Sequence, residues 1–241
     1  MYPILKKEIA GFLGSVTGYA IICIFLAGTG LFVWVYPDTN IIDSGYADLQ
    51  TLFSMGPFVF IFLVPAITMR SFAEERRNGT MELLLTRPLS ELQIVMGKYL
   101  ACVLLVALSL LPTLVYYVSI YKLGIPEGNI DSAAVAGSFC GMLLLGAVFA
   151  AIGILASTLF DNQIMAFITG AFFCWLMYQG IGSLAQNTGQ TLAPYISWLG
   201  LDFHYQSMGK GLIDSRDLVY FISFAGILLG AARLRLQARN W

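Results

Sequence analysis

Six stretches of this chain run for 15 residues or more without an Asp, Glu, Lys or Arg: 18–36, 52–69, 99–121, 133–158, 163–182 and 218–232. A helix rises about 1.5 Å per residue, so stretches of this length cross most or all of a hydrocarbon layer about 30 Å thick. The runs are continuously apolar and do not alternate, which argues against barrel strands. What remains is the helix, which satisfies its own backbone in lipid. The chain is therefore expected to be an all-α integral membrane protein, a single transmembrane domain over residues 1–241 with six transmembrane helices. Composition supports this. Only 11% of the residues are charged, against about 25% in soluble domains, too few to keep such a bundle in water.

Where the charges lie sets an orientation. Ten of the thirteen Lys and Arg fall before span one (Lys6, Lys7), between spans two and three (Arg70, Arg76, Arg77, Arg87, Lys98), or after span six (Arg233, Arg235, Arg239). The alternate connections hold Lys122, Lys210 and Arg216 together with eight acids, from Asp38 to Asp217. The positive-inside rule places both termini in the cytoplasm, and an even number of spans independently requires them on one side. The basic stretch 1–7 and the long apolar run after it read as a retained first span, not a cleaved signal. With a formal net charge of −1, nucleic acid is not an expected partner; membrane lipids are.

The sequence argues against catalysis. None of the six stretches carries an ionisable acid, base or histidine, and such a group at the bilayer centre is costly enough to be kept only for use. Cys23, Cys102, Cys140 and Cys174 stand alone in apolar surroundings and read as small buried hydrophobes. His204 is the single histidine, so no zinc or haem ligand set is expected. No G-x-x-x-x-G-K-[ST] phosphate loop occurs, Gly209-Lys210-Gly211 having the wrong flanks. No cofactor, metal or catalytic residue is predicted.

Three segments depart from plain span-and-loop organisation. Residues 2–13 carry Ile4, Leu5, Ile9, Phe12 and Leu13 around Lys6, Lys7 and Glu8. This pattern suits a short interfacial helix, or an extension of span one. Residues 183–217 form a long, aromatic-rich connector with Tyr195, Trp198, Phe203 and Tyr205. Between spans two and three the chain reads Glu74-Glu75-Arg76-Arg77-Asn78-Gly79-Thr80-Met81-Glu82-Leu83-Leu84-Leu85-Thr86-Arg87-Pro88-Leu89-Ser90. Asn78-Gly79 signals a turn and Thr80 can cap a helix with Glu82 in its first turn. Pro88 disfavours helical geometry at Arg87, and Ser90 with Gln93 forms a capping box for the next span. The reading is a two-turn helix bearing leucines at the membrane face, gripped by headgroups or by another protein.

Small residues at Ala133, Gly137, Gly141, Gly146, Ala150 and Gly153, and the pair Gly226 and Gly230, mark faces where helix backbones can approach closely, within the chain or between chains. Pro57, Pro65 and Pro112 lie inside spans, where they kink a helix or loosen a turn.

The run from Glu74 to Ser90, followed by Gly97-Lys98, resembles the signature of the ABC-2 type permeases, the membrane subunits of ATP-binding-cassette exporters. Phe203-His204 and the stretch from Gly211 to Phe221 look like the loop before that family's last span. The Ile4-Leu5-Lys6-Lys7-Glu8 pattern is most similar to the gliding-motility-associated permeases of Bacteroidetes-type bacteria, with those of nitrous-oxide-reductase maturation systems next. The resemblance implies a separate ABC ATPase subunit docking on a coupling helix. Glu74, Glu75, Arg76 and Arg77 would make charge contacts, with Gly79 and Pro88 bounding the helix and Thr80, Glu82 and Leu85 fixing it in a groove. Lys7 and Glu8 would belong to the interfacial elbow helix. It also implies a second permease subunit, identical or related, a bacterial inner-membrane location, and export or mechanical work. A six-span scaffold or channel without an ATPase is the other reading of the same residues.

Overall fold

The computed structural model describes residues 2–81, 90–187, 192–210 and 214–238. Among them every regular element is helical: α1 Tyr2–Leu13, α2 Val16–Trp34, α3 Ile41–Ser44, α4 Gln50–Thr68, α5 Arg70–Arg77, α6 Glu91–Leu110, α7 Leu114–Leu123, α8 Ser132–Leu159, α9 Gln163–Trp175, α10 Ile181–Asn187, α11 Ala193–Trp198, α12 Leu201–Met208 and α13 Ser215–Gln237. Six units among them are long and apolar enough to cross a membrane: α2, α4 with α5, α6 with α7, α8, α9 with α10, and α13.

Five of the six spans run longer than their charge-free cores, the first matching its core in length, and polar residues cap the starts of most of them. Ser15, Asp131, Asn162 and Asp214 accept from first-turn amides of α2, α8, α9 and α13. Ser90 and Gln93 form the capping box expected for span three, satisfying amides that lipid could not. That span therefore opens at Glu91, ahead of the charge-free stretch from 99, and carries Lys98 within the helix. Pro57 and Pro65 are accommodated inside α4, whereas Pro112 sits in a 3₁₀ turn, Leu111–Thr113, that divides span three. A π turn, Leu176–Gly180, interrupts span five.

The central helix is α8, packed against α4, α5, α6, α9, α12 and α13. Two thirds (67%) of its most apolar window is buried, against 22%, 33% and 28% for spans one, five and six. Small residues make this position possible. A Cβ on Gly153 would overlap Thr68 Oγ1, and one on Gly146 would come within 2.7 Å of Val106 Cγ1. Gly226 and Gly230 on α13, by contrast, have open space where a Cβ would go. The outward faces of the outer spans carry exposed Ile24, Leu31, Phe62, Leu104, Ile168, Phe172, Ile222 and Ile227, a surface suited to lipid. Cys102 and Cys174 are buried as expected, whereas Cys23 and Cys140 are exposed on the spans.

The chain breaks at Gly14 and Ser15 between α1 and α2, so residues 2–13 form a separate helix, not an extension of span one. It packs chiefly along α6. Gly18 lets the Phe12 carbonyl close against α2, where a Cβ would collide with it.

Candidate functional site

At the basic end of the bundle the sequence singles out residues 74–88 and the Lys7-Glu8 pair. The structure joins them through Lys98. This lysine lies one turn from Ile94 and from Ala101 and Cys102 on the buried stripe of α6 and is 1% exposed. A buried ammonium is tolerated only when paired and hydrogen-bonded, and its partners come from two other helices, α1 and α5. Its Nζ stands 2.7 Å from Glu8 Oε1 of α1 and 3.0 Å from Glu75 Oε2 of α5, and it donates to the Ser71 carbonyl. The Phe72 ring lies 5.0 Å beneath the same nitrogen, close enough for a cation–π contribution. Lys7 Nζ reaches Glu75 Oε1 at 3.2 Å, so two cations face two carboxylates and the junction closes on itself electrostatically.

A neutral pin supports it from behind. Met69 alone separates α4 from α5, leaving first-turn amides of α5 in need of acceptors. The buried Ser157 Oγ of α8 accepts from Phe72 N (2.9 Å) and Ala73 N (3.1 Å) and donates to the Met69 carbonyl (3.2 Å). Arg76, with its side chain 7% exposed, meets Asp161 between α8 and α9 at 3.4 Å.

The expected coupling residues therefore divide. Glu75 and Arg76 turn inward and hold the fold, and so does Glu8, whereas Lys7 is exposed and reaches Glu75 from outside. Glu74, Arg77, Gly79 and Thr80 are exposed at the end of α5. Gly79 adopts φ +66°, the left-handed conformation that commonly ends a helix at glycine. The Thr80 hydroxyl donates back to the Glu75 carbonyl at 3.3 Å, closing α5, while Met81 is buried. Glu82, Leu85 and Pro88, with the leucines of the expected coupling helix, lie outside the described residues.

Ser71, Ser157 and Asp161 are site residues that the reading of the sequence did not select, and Lys98 entered it only as a basic residue and within the Gly97-Lys98 pair. Lys98 carried a usable signal. Its helical phase with Ile94, Ala101, Cys102 and Leu105 puts a charge on an apolar stripe, which requires a countercharge from elsewhere in the chain.

A family model described as ABC-2 family transporter protein matches residues 36–230, more than half of the chain. The chain belongs to the ABC-2 transporter family. No curated protein matches it. Membership makes this chain a multi-pass membrane permease component of an ABC transporter, a family whose members work with an ABC ATPase partner. The match covers residues 74–88 but not α1. The permease thus uses Lys98 to fasten a helix outside the matched region to the segment that carries the family signature.

At the opposite end of the permease, α11 and α12 fold down over the bundle. His204 Nδ1 lies 2.7 Å from Asp217 Oδ1 on α13, and Nε2 lies 2.9 Å from the Trp198 carbonyl. A carbonyl only accepts, so Nε2 donates. Tyr220 stacks on the imidazole at 3.9 Å and donates to the Leu199 carbonyl. Both ring nitrogens are engaged, so neither is left to activate a serine hydroxyl. Tyr205 donates to the Phe53 carbonyl at 2.7 Å. Burial, and secondarily the Asp202 carboxylate, push its hydroxyl well above the ordinary tyrosine value, keeping it a neutral donor.

Proposed function

We propose that this permease is the transmembrane subunit through which a separate ABC ATPase drives export or mechanical work, docking on residues 74–88 at the cytoplasmic side of a bacterial inner membrane. The observation that carries the proposal is the Lys98 junction. It joins the elbow helix α1, the signature helix α5 and span three directly beneath the exposed Glu74, Arg77 and Thr80 surface. A push on that surface reaches α6 through ion pairs and α8 through Ser157. Nucleotide-dependent contacts on it would favour one packing of the spans over another. Both termini face the cytoplasm in this proposal, and two permease subunits, identical or related, stand side by side in lipid.

The test is co-expression with the ATPase encoded nearest in the genome. The two proteins are expected to co-purify, and reversing the exposed charges with Glu74→Lys and Arg77→Glu is expected to lower permease-stimulated ATP hydrolysis while the permease stays folded. Full stimulation in the doubly reversed variant would sink the docking assignment. His204→Ala is expected to leave ATP-driven turnover largely intact, whereas an intramembrane hydrolase would lose all activity. The Ile4 to Glu8 pattern supports a role in gliding motility or secretion. Failure of a disrupted strain to lose surface spreading would remove the motility assignment and leave the exporter reading standing.

A further inference from the structure

A cavity of about 830 Å³ opens at the acidic end of the permease, between the ends of α4, α8 and α10 and the helix α12. That volume lies within the range of roughly 300–1,000 Å³ typical of small-molecule sites. Its floor is aromatic: Phe53, Phe58, Tyr178 and Tyr205, with edge-on contacts between Phe58 and Tyr178 at 5.7 Å and between Tyr178 and Tyr205 at 6.3 Å. The π turn in span five carries Tyr178 and Gln179 into the wall, a helix irregularity frequent at functional sites.

Two further observations give the cavity chemistry. Ser138 of α8 is 5% exposed and lines it, with no hydrogen-bond partner among the described residues. A helical serine facing lipid or packed core ordinarily returns its hydroxyl to a carbonyl a turn earlier, as Thr29, Thr68 and Ser119 do here. The Ser138 hydroxyl opens on the cavity and is placed to bond whatever fills the space. The second observation is charge. Asp48, Asp131 and Asp202 line the cavity against a single cation, Lys210 at the rim. None of the three is ion-paired among the described residues. Their bonds go to neutral donors: the Gln50 amide, the Ala133 and Ala134 amides, and the Gln206 side chain. Negative potential from these carboxylates over an aromatic floor favours a positive ligand with an apolar body.

We propose that this cavity binds an organic cation: an amine or onium group toward the carboxylates, an aromatic or aliphatic body on Phe53, Phe58 and Tyr178, and a polar substituent at Ser138. The site stands independently of the coupling proposal, since binding here requires neither ATP nor an ATPase subunit.

The test uses the full chain in phosphatidylcholine nanodiscs, whose lipid carries no net charge, titrated by fluorescence polarisation with rhodamine 6G as cation and fluorescein as an anion of similar frame. Saturable rhodamine 6G binding is expected, with fluorescein at least tenfold weaker. Asp202→Asn should weaken the cation about tenfold, roughly one step of 1.4 kcal/mol. Ser138→Leu, which fills the space, should remove binding, and Lys210→Gln should tighten it severalfold. Lys210 is exposed at the rim, so that variant keeps the test decisive if Ser138→Leu or Asp202→Asn fails to fold. Equal affinity for the two dyes, or rhodamine 6G affinity unmoved by Lys210→Gln, overturns the proposal.

Discussion

Lys98 shows how one buried charge can organise a membrane face. Removing it would leave Glu8 and Glu75, whose side chains are 23% and 12% exposed, facing each other without their shared cation. Breaking a buried ion pair from one side costs about 3 kcal/mol or more. Lys98→Met is therefore expected to lower the melting temperature of the detergent-solubilised permease by roughly 10 °C. Adding Glu75→Gln should recover part of that loss, because the stranded carboxylate is then neutral. Thermal unfolding of the two variants beside the parent checks this, and equal stability of Lys98→Met and the parent would mean the junction contributes nothing.

Helices α8 and α13 both carry the small-residue pattern, yet the structure uses it on one only. Gly153→Ala must push Thr68 aside and is expected to cost about 1–3 kcal/mol, the usual penalty of overpacking. Gly226→Ala enters open space and should leave stability unchanged. A melting comparison that ranks the two the other way would refute the packing described for α8. The break between α4 and α5 supplies a second test. Ser157→Ala leaves the Phe72 and Ala73 amides without their acceptor, a loss of about 1–3 kcal/mol. Hydrogen exchange at those two amides should then accelerate while the core of α8 stays protected. Unchanged exchange would show that Ser157 does not hold the start of α5.

Across the membrane the permease is electrostatically polar, with the Lys98 junction at one end and the carboxylate-lined cavity at the other. The proposed orientation rests on the basic and acidic connections through the positive-inside rule. In a variant with its four native cysteines replaced, Arg77→Cys should react with an impermeant maleimide only after the cells are opened. Tyr46→Cys, 75% exposed at the acidic end, should react in intact cells. The reverse pattern would put residues 74–88 beyond the reach of any cytoplasmic ATPase.

The six spans, the separation of basic from acidic connections and the capping box at Ser90 were readable along the chain because each depends on residues close in sequence. In lipid, a helix must satisfy its backbone within itself, so an uninterrupted apolar run already dictates both structure and environment. Which charges are available to a partner was not readable in this way. Glu8 lies 90 positions from Lys98, and Ser157 lies 85 from Phe72; folding alone brings them together. Glu75 and Arg76 looked like free surface charges beside Glu74 and Arg77, and packing turned the first two inward. The cavity around Ser138 likewise draws its wall from four separated segments, since an enclosed volume and the potential within it exist only once those segments are assembled.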